Sequence, residues 1–231
     1  MYTVTFRFYR YMIKNCLSEV QDKCPNATPF DLLAALFWSR IALLKSKSYD
    51  DKCAPSICTD FRKLMQAPLP YGCFGNALHF SLLSTNAEDL EGGDLGHVVG
   101  LLHSHVEGIE EEEFWSVIDW LDSQKEGKKL APPFRMYGPE LTCVRMEHMN
   151  APKESASQPL MYAVMFEKDE RPVHVSYHVG NVEEGLIKVM PSPEEGLGRT
   201  VMVILPEEQT AKLCEDHDIL RLKPTMLLSG R

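Results

Sequence analysis

The strongest constraint on this chain is the stretch from residue 28 to residue 45. Thr28 stands where a helix N-cap belongs, Pro29 occupies the first turn, and Asp31 follows three residues after the cap. Phe30, Leu33, Ala34, Phe37, Ile41 and Leu44 then recur at helical spacing. A stripe this apolar must face a core, so the rest of the chain has to supply one.

Partners for that helix are legible on both sides. Val4, Phe6 and Phe8 alternate with Thr3, Thr5 and Arg7, which predicts a strand over residues 2–8. Residues 9–21 read as a helix that Cys24-Pro25-Asn26 breaks. Residues 46–58 read as a polar loop, and Phe61 to Leu64 as a short strand. The turn-rich segment from Pro68 to Asn76 leads into a strand with Leu78, Phe80 and Leu82 on one face. Residues 94–106 and 110–124 are expected as helices, the second presenting Phe114, Val117, Ile118 and Leu121. Its opening run, Glu110 to Glu113, suits the positive end of a helix dipole.

From Lys128 the period shifts towards strands, with candidates at 141–147, 160–166, 172–179, 185–190 and 200–205, and a polar loop over 150–159. Pro206-Glu207-Glu208 opens a last short helix. With no repeat and no linker, residues 1–231 are expected to form one α+β domain, a mixed sheet with flanking helices.

Charge and cysteine usage narrow the function. A net charge of −9 argues against nucleic acid as a partner. The seven cysteines show no Cys-x-x-Cys and no repeated spacing, which reads as reduced thiols in a cytoplasmic setting. No apolar run is long enough to span a bilayer.

Tests for catalytic chemistry return little. His174 and His178 sit on an alternating segment, where four residues of strand span about 13 Å, too far for one metal ion. His103 and Glu107 can share a helix face and read as a surface pair, while His79 lies opposite the apolar face of its strand. His148 and His217 have no companions. There is no Gly-x-Ser-x-Gly elbow and no phosphate-binding glycine loop. No metal and no cofactor are expected.

Three stretches carry a family resemblance. Pro29-Phe30-Asp31-Leu32-Leu33-Ala34-Ala35-Leu36-Phe37-Trp38-Ser39-Arg40 resembles a helix of the plant BAHD acyltransferases. Asp60-Phe61-Arg62-Lys63 through Pro70-Tyr71-Gly72-Cys73-Phe74-Gly75-Asn76 is similar to a second family segment. Glu183 to Pro193 resembles the family's late strand and turn. All three belong to the family's carboxy-terminal part and occur in its order.

The resemblance implies a chloramphenicol-acetyltransferase-like half, with an amino-terminal half missing. In the family, a channel between two such halves admits acyl-coenzyme A and an alcohol or amine. A His-x-x-x-Asp motif in the amino-terminal half supplies the base, and an Asp-Phe-Gly-Trp-Gly motif in the carboxy-terminal half is structural. Neither is present here: the second motif's position reads Phe166-Glu167-Lys168-Asp169-Glu170. The strand beginning almost at Met1 fits a partial chain, and a lone half is expected to expose apolar surface and to associate or dissolve poorly.

That degenerate motif, with Trp38-Ser39-Arg40-Ile41-Ala42 and the stretch Phe134 to Thr142, is similar to the eceriferum/Glossy branch. The branch implies a non-catalytic accessory of very-long-chain fatty acid elongation for cuticular wax. Its partner would be a fatty acid elongase condensing enzyme at the cytosolic face of the endoplasmic reticulum. The alternative is an acyl-CoA-dependent O- or N-acyltransferase whose catalytic His lies in the missing half, with acyl-CoA as substrate. By resemblance, Arg62, Phe74, Gly75, Asn76 and Thr142 are the channel candidates. A turn before a strand explains Gly75-Asn76 equally well, and a surface ion pair explains Arg62.

Overall fold

The computed structural model describes residues 1–45, 54–65, 77–85, 90, 94–124, 141–146, 185–192 and 196–229. The strands are β1 (Tyr2–Phe8), β2 (Pro55–Asp60), β3 (Leu78–Leu82), β4 (Leu141–Arg145), β5 (Leu186–Pro191), β6 (Arg199–Leu205) and β7 (Thr225–Ser229). The helices are α1 (Arg10–Val20), α2 (Pro29–Lys45), α3 (Leu95–Glu107), α4 (Glu111–Ser123), α5 (Glu207–Cys214) and α6 (His217–Leu220).

The seven strands among the described residues join one sheet in the order β3-β2-β4-β5-β6-β1-β7. β2–β4 and β4–β5 pair parallel, and every other pair is antiparallel. The expected α+β architecture with a mixed sheet and flanking helices is therefore the one observed.

Strand alternation sorts the sheet into two unlike faces. Val4, Phe6, Phe8, Ile57, Cys143, Ile187, Val189, Val201, Val203 and Leu205 join the main core with residues of α1, α2 and α3. Cys58, Phe80, Val144, Leu186, Met190, Met202 and Ile204 form a second cluster on the opposite face.

α2 is the centre of the first layer. Every residue from Phe30 to Ser39 is buried, as are Ile41 and Ala42. Phe37 packs at 5.1 Å from the Phe6 ring and 6.0 Å from the Phe8 ring. Arg40, the half-buried exception, reaches out to Asp216 at 2.7 Å and Asp218 at 3.0 Å, tying α2 to α6.

The start of α2 is a reciprocal cap. Asp31 N–H donates to Thr28 Oγ1 at 3.2 Å, and Thr28 N–H donates to Asp31 Oδ2 at 2.9 Å. His103 of α3 adds a contact between its Nδ1 and the same carboxylate oxygen, at 2.9 Å. The pair expected between His103 and Glu107 is thus replaced by one across the core boundary. Asp31→Ala removes the cap and strands the backbone N–H of Thr28. Its urea midpoint should fall by the equivalent of about 2 kcal/mol at unchanged slope.

Four local expectations are corrected. The polar loop over 46–58 ends early, because Pro55–Asp60 is a strand buried between β3 and β4. Phe61 to Leu64 is not a strand: Phe61–Lys63 is a single 3-10 turn, capped where Asp60 accepts the Arg62 N–H. His79 does lie opposite the Phe80 face, but that side too is covered. The residue is buried, while Leu82, expected in the apolar set, is exposed. Finally, α4 carries the predicted amphipathic pattern yet buries none of its residues. The strands expected at 160–166 and 172–179, the loop at 150–159, and His148, His174 and His178 lie outside the described residues.

Candidate functional site

The second face of the sheet buries a run of polar groups. Ser56, Thr142, Lys188, Thr200 and Thr5 are all buried polar residues, and their strand parity places them with Cys58 and Met202. The register lines up a row across the sheet: Phe80, Cys58, Val144, Lys188, Met202, Thr5.

Lys188 sits in the middle of that row at 5% exposure. Burial pushes its amine pKa down, with the Cys58 thiol acting in the opposite direction. Burial in turn raises the Cys58 thiol to about 12, opposed by Lys188 and helped by Asp60. Both thiols at the sheet centre are inert in this state, since Cys143 is also pushed up to about 12 by burial. None of the five described cysteines forms a disulfide.

Thr142 is fully buried at the start of β4, and its Oγ1 has no hydrogen-bond partner. Ser56 flanks it on β2 and Leu186 on β5. Its backbone N–H donates to the Gly185 carbonyl at 3.1 Å. An orphaned hydroxyl and a buried amine, diagonal neighbours on adjacent strands, give the middle of this face hydrogen-bonding capacity.

Arg62 stands apart from this. Its guanidinium Nη1 lies 3.2 Å from Asp60 Oδ1, on the turn that follows β2. Thr142 pairs with Ser56, four residues before Asp60, so about 13 Å of strand separates the two. Arg62 and Thr142 therefore do not share one constellation. Phe74, Gly75 and Asn76 lie outside the described residues, as does the degenerate motif from Phe166 to Glu170.

The described histidines are engaged locally. Besides the His103 pair, His79 Nε2 lies 3.2 Å from Glu113 Oε2, and His105 Nε2 lies 2.8 Å from Ser81 Oγ. Among the described residues no group of three or more His, Cys, Asp or Glu side chains could hold a metal ion. Nor is any described helix long and apolar enough to cross a membrane.

Two of these features escaped the sequence reading. Lys188 carries a signal that could have been used, a lone cation inside Leu186-Ile187-Lys188-Val189-Met190. The histidine pairs carry none, because each joins segments far apart in the chain.

Comparison with known proteins agrees with this architecture. The family model described as "Transferase family" matches residues 14–220. Shikimate O-hydroxycinnamoyltransferase of Nicotiana tabacum is 24% identical over 113 residues, which is 49% of this chain and 26% of the relative. Rosmarinate synthase of Plectranthus scutellarioides is 28% identical over 102 residues, 44% of this chain and 23% of the relative.

Among solved structures, F. graminearum TRI101 complexed with coenzyme A and deoxynivalenol aligns with a TM-score of 0.72 at 13% identity. That alignment covers 99% of this chain and 50% of TRI101. Vinorine synthase aligns with a TM-score of 0.60 at 16% identity, over 95% of this chain and 47% of that one. The chain thus spans about half the length of these structures. With the mixed sheet, the helix signature at Pro29–Arg40 and the family match over residues 14–220, the chain belongs to the Transferase family, whose BAHD acyltransferases its sequence resembles.

Proposed function

We propose that this chain is one half of an acyl-CoA-dependent acyltransferase, working with a second half that brings the catalytic base. The observation that carries the reading is the coverage of the fold. Nearly all of this chain aligns with only half of a structure that holds coenzyme A.

The histidines support the same division of labour. Among the described residues, His79, His103 and His105 each contact a side chain of the fold, and His217 is exposed at a helix start. In acyl transfer the acceptor oxygen or nitrogen attacks the thioester carbonyl, its proton passes to a base, and the coenzyme A thiolate departs. This chain would contribute the wall rather than the base. Thr142 and Lys188 would set the polarity under that wall, while Cys58, Val144 and Met202 form its apolar support.

The test is reconstitution. The purified chain alone should release no free thiol from an acyl-CoA in the presence of an alcohol acceptor. Mixed with the amino-terminal half of a catalytically competent relative, it should associate and release thiol. Association without any release, across a panel of acyl-CoA donors and acceptors, would sink the reading.

A second reading is favoured by one sequence observation, the replacement of both motif glycines within Phe166 to Glu170. It makes the protein a non-catalytic accessory of very-long-chain fatty acid elongation for cuticular wax, bound to a condensing enzyme at the endoplasmic reticulum. Co-purification with a condensing enzyme supports it. Unchanged wax chain lengths after deletion of the gene count against it.

A further inference from the structure

We propose that the outer face of helix α4 docks a basic amphipathic helix of a partner protein, with Trp115 as the anchor. α4 has an amphipathic pattern and yet buries no residue of its own. Two adjacent residues near its start fix it to the sheet and to the turn after β2. Glu113 Oε2 lies 3.2 Å from His79 Nε2, and the Phe114 ring stacks on Phe61 at 4.5 Å. Past that attachment the helix stays open. Trp115 is 42% exposed and Leu121 is 50% exposed, with Ile118 half-buried between them.

Trp115, Ile118 and Leu121 recur every three residues, so they form one ridge across the helix. The ridge beside it is Ser116, Asp119 and Asp122. Glu112 stands three residues before Trp115 and Asp119 four residues after it, so both carboxylates border the indole. Both are exposed. The indole itself is held in place. Its Nε1 donates to Glu111 Oε1 at 2.9 Å, and its ring lies 5.9 Å from that of Phe114 at 62°. An anchor ordered before the partner arrives lowers the entropic cost of docking.

Charge decides which occupant fits. From Asp94 to Ser123 the sequence holds eight carboxylates and no Lys or Arg. A second copy packed on the same ridge would set these carboxylates against their own kind. Nucleic acid and anionic lipid surfaces are repelled in the same way. A helix with apolar anchors on one face and Lys or Arg on its flank satisfies both ridges at once. Its anchors cover Ile118 and Leu121, and its cations reach Glu112 and Asp119 across the Trp115 ring, where cation–π attraction adds to ion pairing. A tryptophan within an apolar patch rimmed by charge is the composition of an interaction hot spot.

The probe is a labelled synthetic peptide of about 18 residues, helical, with Leu on one face and Arg on the flanks, titrated with the full chain by fluorescence anisotropy at about 0.1 M salt. The parent chain should bind it, and should bind a scrambled peptide of the same composition roughly tenfold more weakly or worse. Trp115→Ala should weaken binding of the amphipathic peptide about tenfold, and Glu112→Gln with Asp119→Asn about fivefold. The substituted side chains are exposed, so both variants should keep the urea midpoint of the parent. A matched neutralisation of two exposed carboxylates elsewhere, Glu207→Gln with Glu215→Gln, should change binding less than about twofold. No binding by the parent, equal binding of the scrambled peptide, or an equal loss in that control overturns the proposal. So does a Trp115→Ala chain that binds like the parent, or self-association of the parent that Trp115→Ala abolishes, which would give the ridge to a second copy.

Discussion

Gly185→Ala should destabilise the folded chain by about 3 kcal/mol or more, although it adds a single methyl group. Two effects combine. Gly185 has φ +123°, where an L side chain is strained. A Cβ there would also lie 2.7 Å from Leu205 Cδ2, 3.1 Å from the Ile204 carbonyl oxygen and 3.2 Å from Leu141 Cδ1. The carbonyl belongs to β6 and cannot step aside without disturbing the β5–β6 ladder.

Two other glycines separate strain from crowding. Gly196 has φ +89° but nothing within 4 Å of a built Cβ, so Gly196→Ala should cost only about 1–2 kcal/mol. Gly100 lies in α3 without positive φ and with nothing within 4 Å, and Gly100→Ala should stabilise by roughly 0.5–1 kcal/mol. Urea midpoints of the three variants, at a common slope, give the ordering. Gly185→Ala should also perturb the candidate site, because the Gly185 carbonyl accepts the Thr142 N–H. If Gly185→Ala were no worse than Gly196→Ala, crowding against Leu205 and Ile204 would not be limiting.

Phe37→Ala should cost about 4 kcal/mol, enough to unfold much of the population in a marginally stable domain. The ring is fully buried and lies against both Phe6 and Phe8 of β1. Removing it opens a cavity at the junction of α2 with the sheet, lined by rigid rings that cannot collapse inward. Phe37→Leu refills most of that volume and should lose only about 1–1.5 kcal/mol. Equal losses for the two variants, read from denaturant midpoints, would show that edge contacts between rings rather than volume dominate here.

The sequence revealed most where the physics was local. The cap at Thr28 and Asp31 and the apolar spacing of α2 lie within a few turns of chain, and both appear in the structure as expected. β1 announced itself by strict alternation because its two faces meet different environments. β2 did not. Pro55-Ser56-Ile57-Cys58-Thr59-Asp60 lies inside the sheet with both faces covered, so burial erases the alternation, and its small polar residues imitate a loop. The edge strand β7 and the short helix α6 gave no periodic signal at all.

The candidate site was less legible still. Thr142 and Arg62 came from a family resemblance, and only Thr142 falls on the face that carries Lys188. Register decides this, since parity along β4 sends Thr142 to the second face and Cys143 to the first. Lys188 and the two histidine contacts at the sheet edge depend on pairings across 24 residues or more, which no local window contains.

The sheet order has a consequence for biosynthesis. β1 is sandwiched between β6 and β7, two strands that are made long after it. Its neighbours are roughly 200 residues away in the chain, so at ordinary elongation rates they arrive on the order of ten seconds or more later. Until then Val4, Phe6 and Phe8 have helix α2 to pack on but no ladder to join. β1 is therefore closed into the sheet late, over a long loop, which predicts slow folding and a sustained demand for chaperones on the nascent β1 segment.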